Sequence, residues 1–278
     1  MVRIVSDSST LYSPDQAREA GFAVSPLSVT IAGKSYREFA EISAREFVDI
    51  IRQGHMPTSS QPAIGEVAAL YEEFAGEQIL NIAMADGLSG TYKSAVAAAE
   101  LCENKENITV LNSKTLCGPH RYMAEQAVRW AGEGLTRAEI LEKLEALMAT
   151  EKSYLMPDDF GYLRRGGRLS PLVSLVGQAA HLAPIMTKTE DGCQLIVAGV
   201  RRSFQQAIQQ VTKNLLDRGV GKDWRVYITH AAAPEKAEQA LKILQAAIPD
   251  AIYETHLLSP AFITQGGPRC VAVQIIHC

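Results

Sequence analysis

Short apolar runs alternating with stretches of helical periodicity constrain this chain more than any other feature of its sequence. The alternation is the signature of βαβ units, in which short parallel strands have both faces covered by helices. Segments 2–6, 79–84 and 108–111 read as strands of the first half. Ser43-Ala44-Arg45-Glu46 is a capping box, the Ser accepting the third amide and the Glu reaching back, and it opens a helix to about Gln53. After Pro62, Ile64, Val67, Tyr71 and Phe74 recur at helical spacing. Thr136-Arg137-Ala138-Glu139 is a second box, whose helix carries Ile140, Leu144 and Leu147 inward.

The pattern changes near Thr150. Runs at 152–156, 183–187, 194–200, 225–229, 251–256 and 271–276 read as strands, and 171–181, 203–218 and 234–247 as helices. The Glu190-Asp191-Gly192 turn makes a hairpin of two of these strands, so the second sheet is mixed. The fold expected is α/β with two domains. Residues 1–150 form a three-layer α/β/α domain on a mostly parallel sheet, and residues 151–278 an α/β domain with a mixed sheet. A chain of 278 residues suits two domains of ~100–150 residues each. No Pro/Gly/Ser-rich linker separates them, so close packing is expected.

Composition removes several function classes. With 47% hydrophobic and 21% charged residues the chain is an ordinary globule. Its formal net charge of −4 opposes general nucleic-acid binding. No apolar run approaches the ~18–20 residues of a spanning helix, so no membrane insertion is expected. The first residues run into a strand without a signal-peptide pattern. The five cysteines are scattered without a CxxC pair, which points to a reduced, cytoplasmic protein without disulfides. The six histidines show no metal-ligand spacing, and no metal is expected. GxGxxG and GxxxxGK[ST] are absent, and Gly87-Leu88-Ser89-Gly90 is one residue short of a GxSxG elbow.

What the first-half strands run into is more informative. The segments are Asp7-Ser8-Ser9-Thr10, Thr58-Ser59-Ser60-Gln61-Pro62, Asp86-Gly87-Leu88-Ser89-Gly90-Thr91 and Asn112-Ser113-Lys114-Thr115. In an open parallel sheet such turns gather at the carboxyl edge of the strands, where these folds bind ligands. Hydroxyls beside free amides at helix N-termini suit an anion. The same residue types are the preferred helix N-caps, so cap and anion pocket both stay open on this pattern. The run Tyr162-Leu163-Arg164-Arg165-Gly166-Gly167-Arg168-Leu169-Ser170 is equally two-sided. It is either a loop of guanidinium forks for an anion or a glycine C-cap with solvated arginines.

Taken in order with Pro26-Leu27, Tyr92 and Gly267-Pro268, these motifs resemble those of the DegV family over nearly the whole chain. The resemblance implies two α/β domains, a long-chain fatty acid as ligand, no cofactor and no turnover by the chain alone. It also implies a partner, the ATP-binding subunit of a bacterial fatty acid kinase, which phosphorylates the bound carboxylate to an acyl phosphate. Carried to this sequence, Ser59 and Ser89 are expected on the carboxylate, Ser59 standing where the family usually has Thr. Arg168 is expected to face the carboxylate or the partner's phosphate. Asp7, Ser8, Ser60, Gly90, Thr91, Gln265 and Gly267 complete the expected ligand-binding set. Gln265-Gly266-Gly267-Pro268-Arg269 departs from the family's usual His-Thr-Gly-Pro-Gly. A glutamine amide hydrogen-bonds an anion but carries no proton at neutral pH, and Arg269 adds a cation nearby. Two other readings stay open. One is a free-standing enzyme on a small phosphorylated or acylated substrate, using Ser89 or Asp7 with Arg168. The other is a ligand sensor that docks elsewhere.

Overall fold

The structure is a computed structural model that describes residues 2–170 and 182–278. The helix expected at 171–181, and His181 with it, lie outside the described residues. In chain order the first half contains β1 (Val2–Asp7), α1 (Pro14–Glu19), β2 (Ala23–Ser25), β3 (Ser28–Ile31), β4 (Lys34–Arg37), α2 (Ala44–Arg52) and β5 (Thr58–Ser60). It continues with α3 (Ile64–Glu72), β6 (Gln78–Ala83), α4 (Thr91–Leu101), β7 (Ile108–Asn112), α5 (Cys117–Gly132) and α6 (Arg137–Thr150). The second half contains β8 (Lys152–Met156), α7 (Phe160–Gly166), β9 (Ala183–Lys188), β10 (Leu195–Arg201) and α8 (Phe204–Asp217). It closes with β11 (Trp224–His230), α9 (Pro234–Ala247), β12 (Ile252–Leu257), α10 (Pro260–Gly266) and β13 (Val271–His277).

Both expected capping boxes close, at Ser43/Glu46 and Thr136/Glu139. They open amphipathic helices whose buried stripes include Phe47 and Ile51 in α2, and Ile140 and Leu144 in α6. Strands β2-β1-β6-β7 form a parallel sheet. On one face Ile4, Leu80 and Ile82 pack against Met123 of α5 and Ile140 and Leu144 of α6. On the other, Val5 and Ile79 pack against Val67 and Tyr71 of α3 and Ala98 of α4. Helices on both faces are what a parallel sheet requires.

A second sheet of the first half, β4-β3-β5, is antiparallel. It corrects the expectation that Thr58–Gln61 sits on the edge of the parallel sheet, since Thr58, Ser59 and Ser60 are instead strand residues paired with β3. The reason the sequence hides it is physical. Both faces of β5 are polar and at least partly exposed, so no apolar alternation marks a strand.

The second half forms a mixed sheet in the order β10-β9-β8-β13-β11-β12. The expected β9–β10 hairpin is antiparallel, and among the described strands only β11 and β12 run parallel within this sheet. Val226, Ile228 and Val273 face Ile208 and Val211 of α8 and Leu244 of α9. The opposite face meets α5: Tyr227 and Ile276 join Met123 and Leu80 in one cluster. Contact here is so close that a Cβ added to Gly118 would stand 2.1 Å from Cγ of Tyr227. Helix α5 therefore sits in one core shared by both sheets.

Candidate ligand-binding site

Between the loops of the first half and the mixed sheet lies a cavity, the concave, mostly apolar setting in which ligand sites are built. Its walls are mainly apolar, with Leu88, Leu116, Leu155, Leu163, Met186 and Phe262 from separate elements. Cys117 and Cys270 also face it. Burial pushes both thiols up, Cys270 to about 12, so they line the cavity as neutral, unreactive groups.

One end of the cavity collects polar groups from four places in the chain. Ser59 and Ser60 come from β5, Ser89 from the turn before α4, Arg168 from the segment after α7, and Gln265 from α10. Gln265 Nε2 donates to Ser59 Oγ at 3.0 Å. The Ser89 and Thr91 hydroxyls share a hydrogen bond of 2.8 Å at the start of α4. Arg168 Nε donates to the Leu88 carbonyl at 3.0 Å, and its Nη1 donates to the Gly166 carbonyl. Burial lowers the Arg168 pKa from its ordinary value, although a guanidinium stays charged at any physiological pH. The Arg168 fork is thus tied by two backbone carbonyls to the Ser89 turn and its own loop. Both readings of the arginine run are partly realised. Gly167 is a left-handed C-cap at φ 70° with exposed Arg164 and Arg165 in the last turn of α7, while Arg168 faces the cavity.

The remaining expected residues stand behind this surface instead of lining it. The Asp7 carboxylate accepts the amides of Ser9 and Met84, both at 2.9 Å, and so locks the end of β1 to the end of β6. Ser8 Oγ accepts from the Leu27 amide at 2.8 Å and donates to Glu38 at 2.5 Å. Gly90 leaves room for the Gln61 side chain, which an added Cβ would meet at 3.2 Å. Thr91 is buried and supports Ser89. Gly267 has φ +79° and no space for a Cβ beside the Tyr162 ring. Asp7 and Ser8, expected from the sequence to contact the ligand, do not line the cavity, and their polar atoms are engaged inside the protein.

A second polar group on the cavity wall was not foreseen. Lys188 Nζ pairs with Glu151 at 2.6 Å, both side chains nearly buried, and donates to the Lys114 carbonyl at 2.6 Å. Gln274 donates to Ser153 Oγ at 2.8 Å and to the Leu116 carbonyl at 2.9 Å. The signal was a lysine closing a mainly apolar strand run, a position that only a partner could make tolerable. Among the described residues no group of His, Cys, Asp and Glu could hold a metal ion, and no helix is long and apolar enough to cross a membrane.

A family model described as "Uncharacterised protein, DegV family" matches residues 1–277. The chain belongs to the DegV family. A DegV domain-containing protein of Listeria monocytogenes is 32% identical over 96% of this chain and 95% of its own. Among solved structures, DegV of Bacillus subtilis, described as a fatty acid binding protein, superposes with a TM-score of 0.88. It is 28% identical, and the match covers 100% of this chain and 99% of that one. A DegV lipid binding protein of Thermotoga maritima gives a TM-score of 0.86 at 25% identity, covering 99% and 98% of the two chains. The α/β architecture with a parallel first sheet and a mixed second sheet is thus the DegV fold.

Proposed function

We propose that this DegV protein is a soluble cytoplasmic carrier that binds a long-chain fatty acid and presents its carboxylate to the ATP-binding subunit of a fatty acid kinase. The observation that carries the reading is the cavity itself: apolar along its walls, with Ser59, Ser89, Arg168 and Gln265 gathered at one end. The Bacillus and Thermotoga relatives, described as fatty acid and lipid binding, support it. Burying ~14 methylenes at ~0.8 kcal/mol each contributes a gross ~11 kcal/mol. Association and ordering remove several kcal/mol, which leaves micromolar to nanomolar affinity. The tail dominates affinity, and the polar end has only to keep a carboxylate from being stranded without partners.

Ser59 accepts from Gln265, so its own hydroxyl proton is free for the ligand. Ser89 adds a second hydroxyl at the N-terminus of α4, where the helix dipole favours negative charge. Arg168 supplies positive charge beside both. No residue of this set is a base poised to attack, which favours a carrier over a free-standing enzyme. Organic extraction of the purified protein followed by mass spectrometry tests the first half of the proposal, and a stoichiometric long-chain fatty acid is expected. Incubation with ATP and the cognate kinase subunit tests the second half. Acyl-phosphate formation is expected for wild type, and its absence with lipid bound would remove the kinase from the reading.

A further inference from the structure

Glu38 is a carboxyl group with 0% exposure, and among the described residues it has no ion-pair partner. It lies just past β4, yet it reaches across to the second half of the chain. Its Oε1 accepts from Ser8 Oγ at 2.5 Å, and its Oε2 accepts from the amide of Ala261 at 2.9 Å. Ala261 is in the first turn of α10. Ser259 has the backbone geometry of an N-cap, with φ −72° and ψ 161°, but its side chain caps nothing. The acceptor that α10 lacks locally is supplied by Glu38. The helix so capped carries Phe262, Gln265 and Gly266 to the cavity, and Gln265 is the residue that meets Ser59.

We infer that Glu38 is a positioning residue that caps α10 from the other half of the chain and sets the register of Gln265 on Ser59. The inference rests on the fatty-acid reading above and adds a pH-dependent control to it. The titratable groups facing Glu38 are Asp7 at the end of β1 and Cys117 at the start of α5, and neither is a cation. Burial above all pushes the Glu38 carboxyl up to about 7. Ionised, it offers one acceptor to Ser8 and the other, with its negative charge, to the first turn of α10. Protonated, one oxygen becomes a donor and the cap weakens.

The test uses the full chain freed of lipid, with cis-parinaric acid as fluorescent probe at pH 6 and pH 8, for wild type, Glu38→Gln and Glu38→Ala. Wild-type affinity is expected to rise with pH by more than that of Glu38→Gln, which keeps shape and one acceptor but cannot ionise. Glu38→Ala is expected to lose about tenfold in affinity, the scale of a lost cap. Equal pH profiles for wild type and Glu38→Gln, or unchanged affinity in Glu38→Ala, overturn the inference. Hydrogen exchange of the peptide covering α10 reads the cap without any ligand. Faster exchange in Glu38→Gln at pH 8 supports it, and unchanged protection in both variants overturns it. Wild type that binds no probe yet shows this exchange difference defeats the fatty-acid reading and leaves the cap standing.

Discussion

Gln265 on α10 donates its side-chain amide to Ser59 on β5 at 3.0 Å, joining residues 206 positions apart. The amide oxygen of Gln265 has no hydrogen-bond partner among the described residues. The pair therefore offers a ligand the hydroxyl proton of Ser59 without any titrating group of its own. Ser59→Ala and Ser89→Ala are each expected to weaken fatty-acid binding by about 1–3 kcal/mol, the worth of a hydrogen bond to a charged acceptor. Titration of the lipid-free variants with a fluorescent fatty acid measures this, and affinities equal to wild type in both would place the carboxylate elsewhere.

Gly166→Ala probes the same pair from behind. An added Cβ would stand 2.1 Å from Oε1 of Gln265, so the flexible amide has to move off Ser59. The thermal midpoint is expected to stay within a few degrees of wild type while affinity falls. Calorimetry beside the binding titration separates the two effects, and a fall in stability without a fall in affinity contradicts the arrangement.

Arg168 is tied to the carbonyls of Leu88 and Gly166. A lysine ammonium is a single point donor group without the rigid fork that meets the two carbonyls from separate nitrogens. Arg168→Lys is thus expected to lower fatty-acid affinity and to raise hydrogen exchange in the turn at residues 85–90, even though charge is conserved. If Arg168→Lys binds as wild type, charge alone suffices and the fork geometry is incidental.

The pair Lys188–Glu151 is nearly buried beside the cavity. Glu151→Ala leaves an ammonium without its partner and is expected to cost about 3–5 kcal/mol in urea denaturation. The double substitution of Glu151 to Leu and Lys188 to Met is expected to recover most of that loss. Failure of the double variant to recover would show that Lys188 also serves through its bond to the Lys114 carbonyl.

Stability should depend on Glu38 with a definite sign. Its carboxyl lies at about 7 in the folded chain against an ordinary 4.5. Between those values the unfolded chain ionises while the folded one holds its proton, so stability present below pH 4.5 is lost as pH rises through 7. Urea midpoints measured across this range are expected to fall more steeply in wild type than in Glu38→Gln. Parallel slopes would mean that Glu38 titrates normally.

Much of the fold was legible because capping boxes and apolar periodicity are local signals. The boxes at Ser43 and Thr136 and all the strands read in the second half lie where their residues indicate. The three-stranded sheet was not legible, because β5 is three polar residues whose strand conformation comes from pairing with β3. At the site, motif order singled out Ser59, Ser89, Arg168 and Gln265, and these four line one cavity. It could not distinguish them from Asp7 and Ser8, since a hydroxyl or carboxylate that binds its own backbone has the same sequence signature as one left for a ligand. Glu38 and Ala261, 223 positions apart, leave no local trace of their contact.

Helix α5 packs one flank on the parallel sheet and the other on Tyr227 of the mixed sheet, with no room at Gly118 for a methyl group. A helix held on both sides in this way is a rivet, not a hinge. The halves cannot swing apart like a clamshell without tearing open the core they share, so any ligand of the cavity has to enter through local movement at its rim. For the same reason the fragment ending at residue 150 would carry the outer flank of α5 bare, and would be expected to stick to other chains or to itself sooner than stand alone in solution.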